Sequence, residues 1–429
     1  MAAGGALFYN ATVIDGGGGP PLATGAVLVQ DETIAWVGPS ASAPATPAGV
    51  VEVDLEGKTV LPGFIDCHVH LVWKGGKGLS LFDATRVPSS LRLLSVVADL
   101  RATIERGVTT VRDCMGLDIG FKLAVERGVV PGPRLVISGT MIASTGGHAD
   151  FRLPNGFDPY RYLVAPDCVE PCADGADACR RKAREVIRAG ADFVKIAATG
   201  GVSSPTDEPD WAGFTVDEMR AIVEEAEARG RKVVAAHCIG REGIRRALEA
   251  GVLSIEHGVD LTDELRAEMA RRGAVLVPTA VQINGELDPA VVLPSVYEQF
   301  QVWKEIGRAN LPLAVQQGVT IAMGTDCGLS TPHGDNLREL AYLVEAGMTP
   351  MAAIVAGTGT AARLLRLEHL TGTIEGGKRA DLMVVDGDPL RDIGLLADPQ
   401  RILLVMKDGR TYKEPAAYGV DGLRAPARG

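Results

Sequence analysis

The chain has 429 residues, enough for one large domain with an appendage or for two or three ordinary ones. Its 46 % apolar and 23 % charged residues are the balance of a soluble globular protein, and no apolar run reaches the roughly 18 residues of a membrane span. A net charge of −11 argues against a nucleic-acid partner and a polybasic membrane anchor, and leaves a small-molecule substrate open.

The start, "MAAGGALFYN", lacks the basic and long apolar regions of a secretory leader, so a cytoplasmic location is expected unless a leader has already been removed. Seven scattered cysteines agree with a reducing compartment. Cys67, Cys114, Cys238 and Cys327 sit in strand-like runs, where a small buried hydrophobe fits. Residues 1–61 hold the runs "ALFYNATVID", "GAVLVQDETIAWVG" and "VVEVDLEGKTVLPG", broken by Gly and Pro, which read as hairpins.

"GFIDCHVHLV" then reads as a strand. Side chains alternate along a strand, so His68 and His70 share one face. From here a phrase recurs: a helix ending at Gly, a short β-branched run, then a polar residue. It appears in "ERGVTTVRD", "RAGADFVKI", "ARGRKVVAAH", "EAGVLSIEH", "RRGAVLVPT" and "QQGVTIAMGTD". Each Gly suits the left-handed position that ends a helix, and each run is apolar on both faces like a buried parallel strand. Leu91, Leu94, Val97 and Ile104 are expected to mark the buried face of the first helix. "TVDEMRAIVEEAEARG" opens with a capping box, Thr215 to Glu218, and is expected to bury Met219, Ile222, Val223 and Ala226.

With "RLVISGTMIA" as strand three, the strands number eight. Residues 62–370 are therefore expected to form a (β/α)8 TIM barrel of the α/β class. An open doubly wound sheet would need a nucleotide fingerprint, which the glycines at 16–19 and 75–78 do not make. Cys168, Cys172 and Cys179 cluster, but three ligands without a nearby histidine fall short of a structural zinc site, so loop and helix-start cysteines are expected. Residues 371–429 return to the style of the start in "ADLMVVDGDP" and "RILLVMKDGRTYK". Both termini are expected to pair into a small β-sandwich domain, with "GVDGLRAPARG" frayed.

Strand ends at the C-terminal face of such a barrel converge on one site. Here they supply His68, His70, Lys195, His237, His257 and Asp326, mostly metal-ligand types that suit zinc or a similar divalent ion. Each alone has a bland explanation in core packing, capping or ion pairing; together at one rim they do not. A lysine ammonium has no lone pair. Burial near cations would expose a neutral amine, which can add carbon dioxide and become a carbamate bridging two metals. The expected nucleophile is a metal-bridging hydroxide, with Asp326 as proton shuttle and His148, in "IASTGGHADFR", as the donor to the oxyanion. "AVQINGELDPAVVLPSVYEQFQVWKEIG" is expected to wall the mouth; helix packing explains its Tyr297 and Trp303 better than substrate contact does.

These residues resemble the amidohydrolase superfamily: "PGFIDCHVHL", "DFVKI", "AAHC", "SIEHG", "GTDCG" and the C-terminal "GTIEGGKRADLMVVDGDP" all carry its pattern. "TGGHADFR" and "GGVSSPTDEPDW" are most similar to the imidazolonepropionase-related branch that includes Xaa-Pro and Xaa-Arg/Lys dipeptidases. The resemblance implies two divalent ions held by His68, His70, Lys195, His237, His257 and Asp326, with His148 polarising the scissile carbonyl. It places His333 and Asn336, in "TPHGDN", near the substrate, and implies a homo-oligomer. One departure stands out. Prolidase-like relatives carry a tyrosine two residues after the strand-five histidine that helps to hold the substrate carboxylate; here Ile239 follows Cys238, so dipeptide recognition needs another residue, for which Arg152 is one candidate, and the change equally suits an apolar substrate. The expected activity is hydrolysis of a C–N amide bond by a dipeptidase or carboxypeptidase of the Xaa-Pro type. The alternative is an apolar non-peptide substrate: an N-acyl or aryl amide, a carbamate, a urea or an amide-linked toxin.

Overall fold

The computed structural model describes residues 4–73, 85–202, 207–230, 232–290, 292–328, 330–415 and 418; the glycines at 75–78 and the tail from 419 lie outside the described residues. The short β-branched runs at the start form β1 (Gly5–Val13), β2 (Leu22–Gln30), β3 (Thr33–Pro39), β4 (Val50–Asp54) and β5 (Thr59–Pro62).

The barrel follows: β6 (Phe64–Val69), β7 (Val108–Asp113), β8 (Arg134–Ile137), β9 (Met141–Ile142), β10 (Val194–Ala197), β11 (Val234–Cys238), β12 (Ser254–His257), β13 (Val275–Val277) and β14 (Thr320–Ile321). Neighbours pair in parallel, from β6 to β8 and from β9 to β14. The expected third strand breaks between β8 and β9 because Gly139 turns to a φ of 69°. The barrel closes where Cys67 donates to the Met323 carbonyl at 2.9 Å and Val69 bridges Cys327. Every residue of β6, β7, β10, β11 and β12 is buried, as strands covered on both faces must be.

The chain ends in β15 (Leu382–Val385), β16 (Ile402–Lys407) and β17 (Arg410–Lys413). These join the first five strands in one sheet, ordered β17-β16-β15-β5-β1-β2-β3 with β4 also on β1. The two ends of the chain meet where β15 runs antiparallel to β5, and they share a core that includes Phe8, Val27, Val60, Leu382 and Leu404. This layer is tied to the N-terminal floor of the barrel, opposite the site, by Arg134, which bridges Asp381 and Asp408 at 2.7 Å each.

The capping box of Thr215 and Glu218 is present, and Met219, Ile222 and Ala226 are buried with Val223 packed against them. The first helix, Ser89–Glu105, differs from expectation. Its buried face is Arg92, Val96, Leu100, Thr103 and Ile104, while Leu91 and Leu94 are 59 % and 68 % exposed. The cause is Arg92, whose guanidinium donates to the Leu163 and Val164 carbonyls at 3.1 Å and turns that edge inward. All seven cysteines are unpaired, and Cys168 and Cys179 are buried in separate apolar clusters. Among the described residues no helix is long and apolar enough to cross a membrane.

Candidate metal-binding active site

Three consecutive strands end in a backbone conformation that L-residues avoid. His257, Thr279 and Asp326, at or just past β12, β13 and β14, have φ of 67°, 49° and 57°. Each such residue costs about 1–3 kcal/mol and persists only where its surroundings over-determine it; a β-branched threonine is the least suited. Asp326 is pinned by its own N–H, which donates to the His68 carbonyl at 2.6 Å.

The turned ends bring the imidazoles together. Ring centroids of His68 lie 5.3 Å from His70 and 4.9 Å from His257, and His237 lies 4.7 Å from His257. Asp326 Oδ1 sits 3.5 Å from His68 Nε2 and 3.2 Å from His70 Nε2. Each ring has one nitrogen engaged from behind. His68 Nδ1 meets Glu256 at 2.8 Å, His257 Nδ1 meets Thr279 Oγ1 at 2.8 Å, His237 Nε2 meets the Gly200 carbonyl at 3.1 Å, and His70 Nδ1 faces the Met115 carbonyl at 3.5 Å. This is how metal-binding histidines are held: one nitrogen is fixed by an outer partner and the other is left to the ion.

Lys195 stands among them, 1 % exposed, and its Nζ has no hydrogen-bond partner. Burial first, then Lys195, pulls His68 well below the ordinary histidine range. Burial, with His148, His257 and Lys195 behind it, does the same to His237; burial, His68 and Lys195 do it to His257. These rings are therefore neutral and offer lone pairs. A buried lysine nitrogen left without a partner is an expensive arrangement. The donor set, four imidazoles, a carboxylate and a lysine amine, is of the kind that suits divalent ions.

A second layer of buried polar residues holds this set, and the sequence reading did not identify it. Arg112, fully buried, donates to Glu256 at 2.7 Å and to Ser254 at 3.1 Å, and its Nε bonds the Cys67 carbonyl. Asp66 accepts from the His68 and Thr325 N–H groups and from Thr325 Oγ1 and Asn336 Nδ2, at 2.6–3.1 Å. Asp113 accepts from Leu71 at 2.8 Å, which fixes the backbone after His70. The available signal was polar letters inside otherwise apolar strands, in "VRDC" and "SIEHG".

The remaining anticipated residues divide. His148 stacks on His237 with centroids 4.2 Å apart and planes 22° apart. Ile239 is buried two residues beyond His237, with its N–H on Thr199 Oγ1 at 3.0 Å. His333 Nε2 lies 3.3 Å from the His70 carbonyl. Asn336 is fully buried with its amide on Asp66, so it braces the loop and presents no surface to a substrate. Arg152 has a 62 % exposed side chain paired with Asp158 at 3.3 Å, which leaves it a solvated surface cation. Tyr297 and Trp303 are half-buried in the helix Pro294–Gln316. Residues 203–206 of "GGVSSPTDEPDW" lie outside the described residues.

Comparison with known proteins agrees with this geometry. Residues 59–412 match the model of the amidohydrolase family. Ochratoxinase of Aspergillus niger is 32 % identical over an alignment covering 95 % of this chain and 87 % of that protein. A solved prolidase complexed with N-methylphosphonate-L-proline superposes with a TM-score of 0.86 at 33 % identity, covering 96 % of this chain and 100 % of the other. A Xaa-Pro dipeptidase with methionine in its active site gives 0.85 at 31 % identity, covering 95 % and 100 %.

Proposed function

The chain belongs to the amidohydrolase family and is a carbon–nitrogen hydrolase, and from that premise we propose that its barrel mouth holds two divalent ions, zinc by the character of the donors. His68, His70, His237, His257 and Asp326 would ligate them, with Lys195 as a carbon-dioxide-derived carbamate between the two. One observation carries this reading: Lys195 Nζ is buried among neutral imidazoles without a partner. When bound, the ions supply Lewis acidity and make water acidic enough to serve as a nucleophile near neutral pH.

The chain's own residues do the rest. His148 polarises the scissile carbonyl. Asp326 takes a proton from the attacking water and hands it to the departing nitrogen as the C–N bond breaks, which yields an acid and an amine. Its Oδ1 is buried without a hydrogen-bond partner, 3.2 Å from His70 Nε2, a position suited to that transfer.

For the substrate, the surroundings favour an apolar amide. Ile239 cannot donate a hydrogen bond to a terminal carboxylate, and Arg152 is engaged with Asp158 in solvent. The likeness to ochratoxinase is consistent with an amide-linked toxin or a related aromatic amide. Xaa-Pro dipeptides are the second reading, supported by the likeness to the prolidase and the Xaa-Pro dipeptidase. The test is metal analysis of the purified chain with a panel of N-acyl aromatic amides and Xaa-Pro dipeptides. Two divalent ions per chain and faster turnover of the aromatic amides are expected. Faster turnover of dipeptides would replace the first substrate reading by the second, and a chain that binds no divalent ion would remove both.

A further inference from the structure

The carboxylate of Asp207 has no part in the reaction described above, yet it is buried at the site. The residue is 5 % exposed, and its Oδ1 accepts the Gly201 N–H at 2.9 Å. Its Oδ2 has no hydrogen-bond partner and stands 3.5 Å from His148 Nδ1. A buried carboxylate oxygen left facing a single imidazole is costly unless that imidazole is its purpose. The neighbouring glycine completes the arrangement. A Cβ at Gly201 would stand 2.0 Å from His148 Cε1 and 2.5 Å from Nδ1, so the ring lies directly on bare backbone. His237 stacks at 4.2 Å, and His237 is itself held by the Gly200 carbonyl at 3.1 Å.

We propose that Asp207 is the positioning residue of His148: its carboxylate fixes Nδ1 as the inward nitrogen and turns Nε2 to the substrate, while Gly201 sets the height of the ring. The inference rests on the reading of His148 as the group that addresses the scissile carbonyl. A carboxylate oxygen accepts, and Asp207 Oδ2 and His148 Nδ1 each lack another hydrogen-bond partner, so hydrogen on Nδ1 is the arrangement that would satisfy both. Asparagine has the same shape and keeps an oxygen for Gly201, but it turns an NH2 group toward the ring. The imidazole then has to accept at Nδ1 and move its hydrogen to Nε2.

The experiment is Asp207→Asn in the zinc-loaded protein, read in two ways. Imidazole nitrogen NMR, assigned with His148→Ala, reports which nitrogen of His148 carries hydrogen. Steady-state kinetics on the best amide of the panel reports the consequence. Expected are a change of the His148 tautomer, unchanged zinc content, a kcat lower by about 10- to 100-fold and a KM within about two-fold of wild type. In the His148→Ala background the same substitution should change kcat by less than about two-fold, because residues that act as a unit are not additive. An unchanged tautomer, or an equal loss in both backgrounds, would overturn the proposal and leave Asp207 a brace of the glycine turn. A wild-type chain that turns over no amide would remove the substrate reading, while the NMR measurement would still judge the Asp207 contact.

Discussion

Glu256→Gln isolates what the buried layer does for the site. Glu256 is fully buried and accepts three hydrogen bonds: from Arg112 at 2.7 Å and Ser254 at 2.6 Å on Oε1, and from His68 Nδ1 at 2.8 Å on Oε2. Glutamine can keep its oxygen toward Arg112 and Ser254. Its NH2 then faces His68, which must accept at Nδ1 and carry its hydrogen on Nε2, the nitrogen 3.5 Å from Asp326. That nitrogen is no longer a ligand until the ring is retuned. Loss of an outer partner of a metal-binding histidine lowers metal affinity by about 10- to 100-fold, or about 1.4–2.7 kcal/mol. Arg112, with no exposure, also loses its counter-charge, and breaking a buried pair costs about 3–5 kcal/mol. Competition with a chelator of known affinity reads the first number, and urea unfolding of the ion-free protein reads the second. A variant with wild-type zinc affinity would refute the claim that Glu256 sets the His68 tautomer. One with wild-type stability would refute the claim that Arg112 depends on it.

Lys195→Ala should lose metal and activity together, with partial rescue by short carboxylic acids; two ions retained per chain, by elemental analysis, would remove the bridging carbamate. Asp326→Asn should keep metal and lose turnover, and substantial remaining kcat would count against proton transfer through it. Glu339 is fully buried, and burial, offset in part by the Val281 and Ala280 N–H groups, raises its carboxyl from 4.5 to about 8. The folded chain therefore holds this proton where the unfolded chain has released it, so this contribution to stability is complete below 4.5 and is lost as pH rises toward 8. Urea midpoints should fall across that window, and the fall should be smaller in Glu339→Gln. Thr279→Gly should relieve about 1–3 kcal/mol of backbone strain while removing the hydroxyl on His257. Stability should change little and zinc affinity should drop; an unaltered affinity by chelator competition would deny the hydroxyl its role.

The barrel and the polar residues gathered at its strand ends were legible because both follow from short-range rules. Period-two alternation put His68 and His70 on one face, and the recurring Gly-then-apolar phrase marked strands whose ends must converge. The supporting layer was not legible, because its meaning is in long-range pairing. Glu256 and Arg112 are 144 residues apart, and each alone reads as a polar letter in a strand. The first helix misled for a related reason. Leucine spacing predicted its inner face, but a contact with carbonyls about 70 residues away, at Leu163 and Val164, drew Arg92 inward. Asn336 was read from a loop that resembled a substrate contact, and what decides its place is the Asp66 carboxylate 270 residues earlier.

The buried layer also bears on how far the fold depends on the ions. Many small metal-binding domains are unfolded without their metal because they lack a core of their own. Here the apolar core around the barrel runs from Ile14 to Val405 and includes Leu100, Ile196, Ile222, Ile255 and Leu340, none of which needs a ligand. The strained ends are already fixed by protein partners: Asp326 by the His68 carbonyl, His257 by Thr279, the neighbouring Thr325 by Asp66, and the backbone after His70 by Asp113. The strand ends are thus held by protein contacts alone, and an ion bound at the proposed site would add RT ln(1 + [L]/Kd) to a fold that stands without it. Chelation should therefore abolish turnover and lower the unfolding temperature, yet leave the far-ultraviolet and near-ultraviolet circular dichroism intact at room temperature, and added zinc should restore activity without a refolding phase. Collapse of the near-ultraviolet signal on chelation would mean that the ions, rather than the Glu256–Arg112 and Asp66 contacts, hold the strand ends in place.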